Sequence, residues 1–265
     1  MSDPHLPTDI LDHIVDLLHN DTLRNCCLVS KSWIPRTRKH LFAKISFRTA
    51  ESLQSWKKTF PDPSTSPAYY AKTLSISCLP VAVVADAESG GWITGFSRVV
   101  HLEVADHHME HVDQLATSLV LFHGFSPTIK SLRVTLTVPM ESSHIFSLIL
   151  SFPLLEDLIV TTRYNASTDN GDGSDRLSTI VQPSDPPAFT GCLDLYLVEG
   201  MAPIARRLLS LPGGLHFWKL TLKMFCGEDV LLTMALVEKC SHTLEFLEVS
   251  CGLLGTFIQH LRPHQ

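Results

Sequence analysis

The sequence predicts an α/β chain. Three short helices fill residues 1–48, and an irregular solenoid with parallel strands inside and helices outside fills residues 49–265. Three observations carry this reading. Apolar residues over the first fifty positions recur at helical spacing, a short strand-like pattern then returns eight times, and the intervals between its copies often carry helical stripes.

The N-terminal helices come first. Leu6-Pro7 precedes Ile10, Leu11, Ile14, Val15, Leu17 and Leu18, with Asp9, Asp12, His13 and Asp16 on the other side. That is the three-to-four spacing of an amphipathic helix, entered through Pro7 and Thr8, with acid near its positive end. Asn20 or Asp21 caps a second helix carrying Leu23, Cys26, Cys27 and Leu28. A third begins near Ser30 and carries Trp33, Leu41 and Phe42, with Pro35 early enough to be tolerated. So few residues cannot bury all these side chains among themselves, and the surplus apolar surface calls for a partner.

Order and spacing of these residues resemble the F-box: Leu6-Pro7, Ile10-Leu11, Ile14, Leu18, Leu23, the run Cys27 to Trp33, and Leu41-Phe42. The match spans roughly residues 5–46, and Asp9 stands where many members carry Glu. The resemblance implies docking to a Skp-type adaptor, and through it to a cullin, in a ubiquitin ligase. It assigns adaptor contact to Leu6, Pro7, Ile10, Ile14, Leu18, Leu23, Val29 and Trp33.

Beyond this region the pattern is an apolar residue, two intervening positions, Leu or Ile, one position, and another apolar residue. Its central residues are Ile45, Leu74, Leu102, Leu132, Leu158, Leu195, Leu220 and Leu247, separated by 29, 28, 30, 26, 37, 25 and 27 residues. Helical stripes lie between: Glu51 to Phe60 after a cap at Thr49; Val112, Leu115, Leu119 and Phe122; Ile145, Leu148 and Ile149; Ile204, Leu208 and Leu211; Val230, Met234 and Val237. Strand, loop, helix and loop at this period stack into a solenoid, because no unit can bury its apolar face alone.

The period resembles that of leucine-rich repeats. The repeats are degenerate, since the usual Asn or Cys is replaced by Leu79, His107, Thr137, Arg163, Gly200, Phe225 and Gly252. An F-box followed by such repeats is similar to a class of fungal F-box proteins. A single compact α/β domain with similar strands would also satisfy the pattern.

Two places break the rhythm. Residues 165–188 are rich in Ser, Thr, Asp, Gly and Pro, and read as a mobile surface insertion whose acids lack the spacing of a calcium loop. After Val249 only sixteen residues remain and no polar capping repeat is visible. A chain that stops short, or an edge covered by something else, would explain this.

Composition excludes several functions. Hydrophobic residues make up 45%, which implies a large core, and the net charge of −6 disfavours nucleic acid and membrane surfaces. The most apolar stretch, Ile145 to Leu155, is too short to span a bilayer, and the N-terminus lacks a signal-peptide pattern. Seven cysteines without CxxC spacing suit buried thiols in the cytosol or nucleus.

No phosphate loop, dinucleotide fingerprint or hydrolase elbow is present, so neither a catalytic group, a metal nor a cofactor is expected. His107 and His111 are one helical turn apart but lack further ligands, and Cys240 and His242 sit at a helix-to-strand corner.

The expected role is substrate receptor of an SCF-type ubiquitin ligase, or a scaffold acting outside one. The target would meet the outward residues of the strands, with Ile159, Tyr196 and Val198 at the centre and Arg133 and Lys223 as a charged rim.

Overall fold

Each copy of the strand pattern has two apolar positions facing one way, so the copies are stable only side by side with their apolar files aligned. A computed structural model shows that alignment. It describes residues 7–29, 31–77, 91–105, 127–136, 142–162, 187, 189–196, 202–212, 214–224, 227–251 and 255–260.

The strands are β1 (Lys44–Phe47), β2 (Thr73–Ser77), β3 (His101–Ala105), β4 (Ser131–Leu136), β5 (Asp157–Thr162), β6 (Cys192–Tyr196), β7 (Lys219–Met224), β8 (Phe246–Cys251) and β9 (Gly255–His260). They form one nine-stranded sheet in sequence order. β1 to β8 run parallel, and β9 returns antiparallel along β8. β1 pairs with β2, so the sheet begins inside residues 1–48.

Two buried files cross the sheet. One holds Ile45, Leu74, Leu102, Leu132, Leu158, Leu193, Leu220 and Leu247; the other holds Phe47, Ile76, Val104, Val134, Val160, Leu195 and Leu222. Helices between strands cover this face: α4 (Ala50–Thr59), α5 (Gly91–Thr94), α6 (Ser142–Leu150), α7 (Ala202–Leu209) and α8 (Gly227–Lys239). Thr49 caps α4 as the sequence predicts, its hydroxyl accepting from the Ser52 amide while the Ser52 hydroxyl accepts from the Thr49 amide. The stripe Val112 to Phe122 and residues 165–186 lie outside the described residues.

Backbone groups tie the units together at the strand starts. The amides of Lys72 and Thr73 both donate to the Ala43 carbonyl, at 2.8 and 3.0 Å. The carbonyls of Lys72, Val100, Lys130 and Trp218 each accept two consecutive amides from the next unit in the same way. Two threonines add cross-ties where an asparagine ladder is missing. Thr128 Oγ1 donates to the Val99 carbonyl at 2.7 Å, and Thr243 Oγ1 to the Phe217 carbonyl at 3.1 Å.

The junction from β5 to β6 differs, and it corrects the sequence reading. Leu158 pairs with Leu193, not Leu195, so the separation is 35 residues rather than 37. The buried residue that leads into β6 is Phe189, one place further from its strand anchor than in the other units, and it takes a φ of 45°. The extra residue hides the usual spacing. Here the Glu156 carbonyl accepts the Gly191 amide at 3.1 Å, and the Asp157 carboxylate takes the next one, its Oδ1 accepting from the Cys192 amide at 2.7 Å.

Two further differences concern the C-terminal units. The edge of β8 is lined by β9, a strand of this same chain. In α8 the inward face holds Asp229, Thr233 and Leu236, with Cys240 buried just beyond its end, while Val230 and Met234, expected on the buried stripe, are exposed. Val230 to Leu232, Met234, Leu236 and Val237 are all apolar, so periodicity alone cannot choose the phase of this helix.

Candidate functional site

The N-terminal helices are α1 (Thr8–Asp16), α2 (Asn20–Val29) and α3 (Ile34–Leu41), the last entered through a 3₁₀ turn at Lys31–Trp33. Pro7 sits at the N-cap of α1, with its carbonyl accepting from the Ile10 and Leu11 amides. Val15, Leu23 and Cys26 are buried between the helices. Polar contacts close the α1–α3 seam: Arg36 pairs with Asp12, Nε 2.7 Å from Oδ1, and His40 Nε2 lies 2.8 Å from Asp16 Oδ1. Arg36 and His40 of α3 thus serve a structural seam, while Arg38 and Lys39 are exposed. α3 in turn packs on the 3₁₀ turn Pro67–Tyr70.

These contacts leave much apolar surface uncovered. Leu28 is 86%, Leu17 74% and Ile10 48% exposed, and Leu11, Ile14, Leu18 and Trp33 are only half-buried. Pro7 is exposed as well. Leu23, expected among the contacts, is instead 2% exposed and belongs to the helical core. Its position on α2 one turn before Cys26 points it inward. Leu6 and the Val29 side chain lie outside the described residues. Leu17 and Leu28 were not expected as contacts; the signal for them is simple excess, since a three-helix unit cannot cover them.

Residues 4–34 match the F-box domain family. The chain carries an N-terminal F-box domain. The F-box supports a role in adaptor docking typical of F-box proteins. A comparison with curated proteins returns no match.

Away from the F-box, the second surface is the face of the sheet opposite the helices. Register sorts its side chains into rows. The middle row reads Ser46, Ser75, Glu103, Arg133, Ile159, Asp194, Thr221 and Glu248. The next row, two residues on, reads Ser77, Ala105, Thr135, Thr161, Tyr196, Lys223 and Ser250. The corrected register therefore sets Ile159 beside Asp194, and Tyr196 beside Thr161 and Lys223. Ile159 and Tyr196 are not lateral neighbours. Val198 lies outside the described residues. Arg133 is exposed, Tyr196 is 39% exposed, and Ile159 and Lys223 are half-buried.

Both lysines of β7 lean on rings. Lys219 Nζ lies 4.8 Å from the Phe246 ring centroid, and Lys223 Nζ lies 3.9 Å from that of Tyr196 and hydrogen-bonds the Tyr196 phenol oxygen. The carboxyl of Asp194 is raised above the usual carboxylate range: partial burial drives it up, Arg133 and Lys219 offset only part of this, and Glu248 pushes it further.

A raised carboxyl makes the folded state hold its proton more tightly than the unfolded chain does. Its favourable contribution is fully present below the unfolded value and fades as pH rises through the folded one. Asp194→Asn, which stays neutral, is therefore expected to stabilise the fold slightly at pH 7. The gain should vanish at acid pH. Melting curves of both proteins across that range check it; an equal gain at every pH would assign the effect to packing.

Other candidate chemistry fares less well. The thiol of Cys240 is pushed up to about 11 by burial, so it is a poor nucleophile despite His242 nearby in sequence. His107 and His111 lie outside the described residues. Among the described residues no group of three or more His, Cys, Asp and Glu is placed to hold a metal, and no helix is long and apolar enough to cross a membrane.

Proposed function

We propose that this chain is the substrate-recognition subunit of an SCF-type ubiquitin ligase. In this reading the F-box docks a Skp-type adaptor, and through it a cullin, while the sheet holds a protein target in the cytosol or nucleus. The observation that carries it is the exposed apolar surface of the F-box helices, with Ile10, Leu17 and Leu28 beside the half-buried Ile14, Leu18 and Trp33. Leu6, Pro7 and Val29 complete the adaptor contact by the family resemblance.

The sheet region is read as a degenerate leucine-rich-repeat solenoid. Its support is the repeat period and the parallel register, and Arg133, Ile159, Tyr196 and Lys223 lie on the face assigned to the target.

Leu6→Ala with Pro7→Ala tests the adaptor contact. Burial of one large side chain is worth roughly 1.5–3 kcal/mol, so the double variant should capture the adaptor at least about tenfold more weakly while its melting curve is kept. Undiminished capture would remove the assignment. Co-purification of a cullin with the adaptor separates a ligase subunit from a scaffold acting outside one.

A further inference from the structure

Charge is segregated along the starts of the strands. In the first outward row Lys44 is followed by Thr73, His101 and Ser131, and the first acid is Asp157 on β5. The rim just before the strands repeats the order. There Lys72, Val100 and Lys130 follow one another through the shared carbonyls, and the first acid is Glu156. Over β1 to β4 both lines are therefore basic or neutral, in a chain whose net charge is −6. Glu103, one row further on, has Arg133 beside it in register.

The cations of this stretch are not all answered within the chain. Lys130 is, by Glu156 at 2.6 Å. Lys44 and Lys72 are exposed, and among the described residues neither side chain forms an ion pair or a hydrogen bond. Arg98, also exposed, lies over the Tyr69 ring at 4.8 Å, a contact that holds the guanidinium without supplying a counter-anion. Neighbouring strands stand about 4.8 Å apart, so these three cations spread over three strands about 10 Å wide. Screening at physiological salt acts over about 8 Å, so they attract one anionic group together.

We infer that the partner held by this chain presents a short run of carboxylates to Lys44, Lys72 and Arg98. The segment is a short acidic peptide because the basic stretch is short. A nucleic-acid backbone would run on from it into Glu156 and Asp157, and the net charge of −6 repels a long polyanion. The exposed Tyr69 beside Arg98 adds an aromatic contact of the kind that anchors interfaces. The inference rests on the target-binding role of the sheet and adds the chemistry of what the sheet holds.

The full chain is titrated with labelled fifteen-residue peptides in Gly/Ser flanks, read by fluorescence anisotropy at low and physiological salt. One has the centre Glu-Asp-Glu-Asp-Glu, the other its neutral counterpart Gln-Asn-Gln-Asn-Gln. At low salt the acidic peptide should bind at least about tenfold more tightly, a difference of about 1.4 kcal/mol, and the margin should shrink as salt rises. Lys44→Glu with Lys72→Glu should abolish the margin, and Arg98→Ala, a milder change, should reduce it. Lys58→Glu with Lys239→Glu, the same change of charge at exposed helix positions, should leave it in place.

Equal binding by the two peptides overturns the inference. So does an equal loss in the helix variant, because net charge alone would then account for the margin. Tighter capture of a ten-nucleotide oligothymidine than of the acidic peptide would replace the carboxylates with a phosphate backbone. Adaptor capture separates this result from the reading it rests on. The Lys44 and Lys72 double variant should capture the adaptor as the parent does, and loss there would assign the lysines to the adaptor contact instead. A parent that binds the acidic peptide but no adaptor would keep the basic site and remove the ligase.

Discussion

Phe96→Ala is expected to lower the stability of the chain by about 3–5 kcal/mol, which for a domain of this size lowers the Tm by roughly 10 °C. Phe96 is fully buried where the first units meet. Its ring lies 6.2 Å from Phe47, 6.0 Å from Trp56 and 5.9 Å from Trp92, all centroid to centroid. Trp56 in turn meets Phe42, just beyond α3, at 6.3 Å. One truncation therefore removes the hub of a cluster that joins β1, α4 and α5 to the end of the F-box. Differential scanning calorimetry reads the loss, and a Tm within about 2 °C of the parent would show that the cluster repacks.

A comparable loss is expected from Gly191→Ala. A Cβ there would stand 2.1 Å from Asp157 Oδ1 and 3.1 Å from the Glu156 carbonyl carbon. The carboxylate is not a flexible end that can swing aside, because it accepts from the Cys192 amide. Moving it leaves that amide unpaired at about 1–3 kcal/mol, on top of about 1–3 kcal/mol for overpacking. Together these point to about 3 kcal/mol. Adding Asp157→Ala removes the clash with the carboxylate but neither the close Glu156 backbone contact nor the orphaned amide, so the double variant should recover only part of the stability. Full recovery would show that the carboxylate bond carries little, and no loss in Gly191→Ala would sink the account.

Much of this architecture is legible before any coordinates. The three N-terminal helices, the Thr49 cap and seven of the eight strand anchors follow from spacing, because each obeys one local rule repeated without interference. The misread strand is the one where a local feature intervenes. Phe189 in a left-handed conformation adds a residue ahead of β6, and Cys192 then mimics the missing apolar position. β9 carries no anchor pattern, since an antiparallel return needs only a tight turn and no crossover. α8 is apolar on nearly every side, so its buried face is set by its packing against α7 and β7. Outward residues such as Ile159 and Tyr196 are legible as facing one way, but which of them are neighbours depends on register, and one two-residue shift at β6 changed the answer.

The shared carbonyls at the strand starts bear on how such a chain can be altered over generations. At Ala43, Lys72, Val100, Lys130 and Trp218 the shared bond is a backbone carbonyl, so that bond asks nothing of the side chains on either side, and Thr128, Thr243 and the Lys130–Glu156 pair only add to it. A unit beginning at one of those joints can be duplicated, deleted or exchanged for another without breaking the seam. Asp157 and Gly191 are the exception, a lock and its key carried by different units. Asp157 cannot be kept without the glycine that makes room for it, so the fifth strand constrains what may follow it in the sixth.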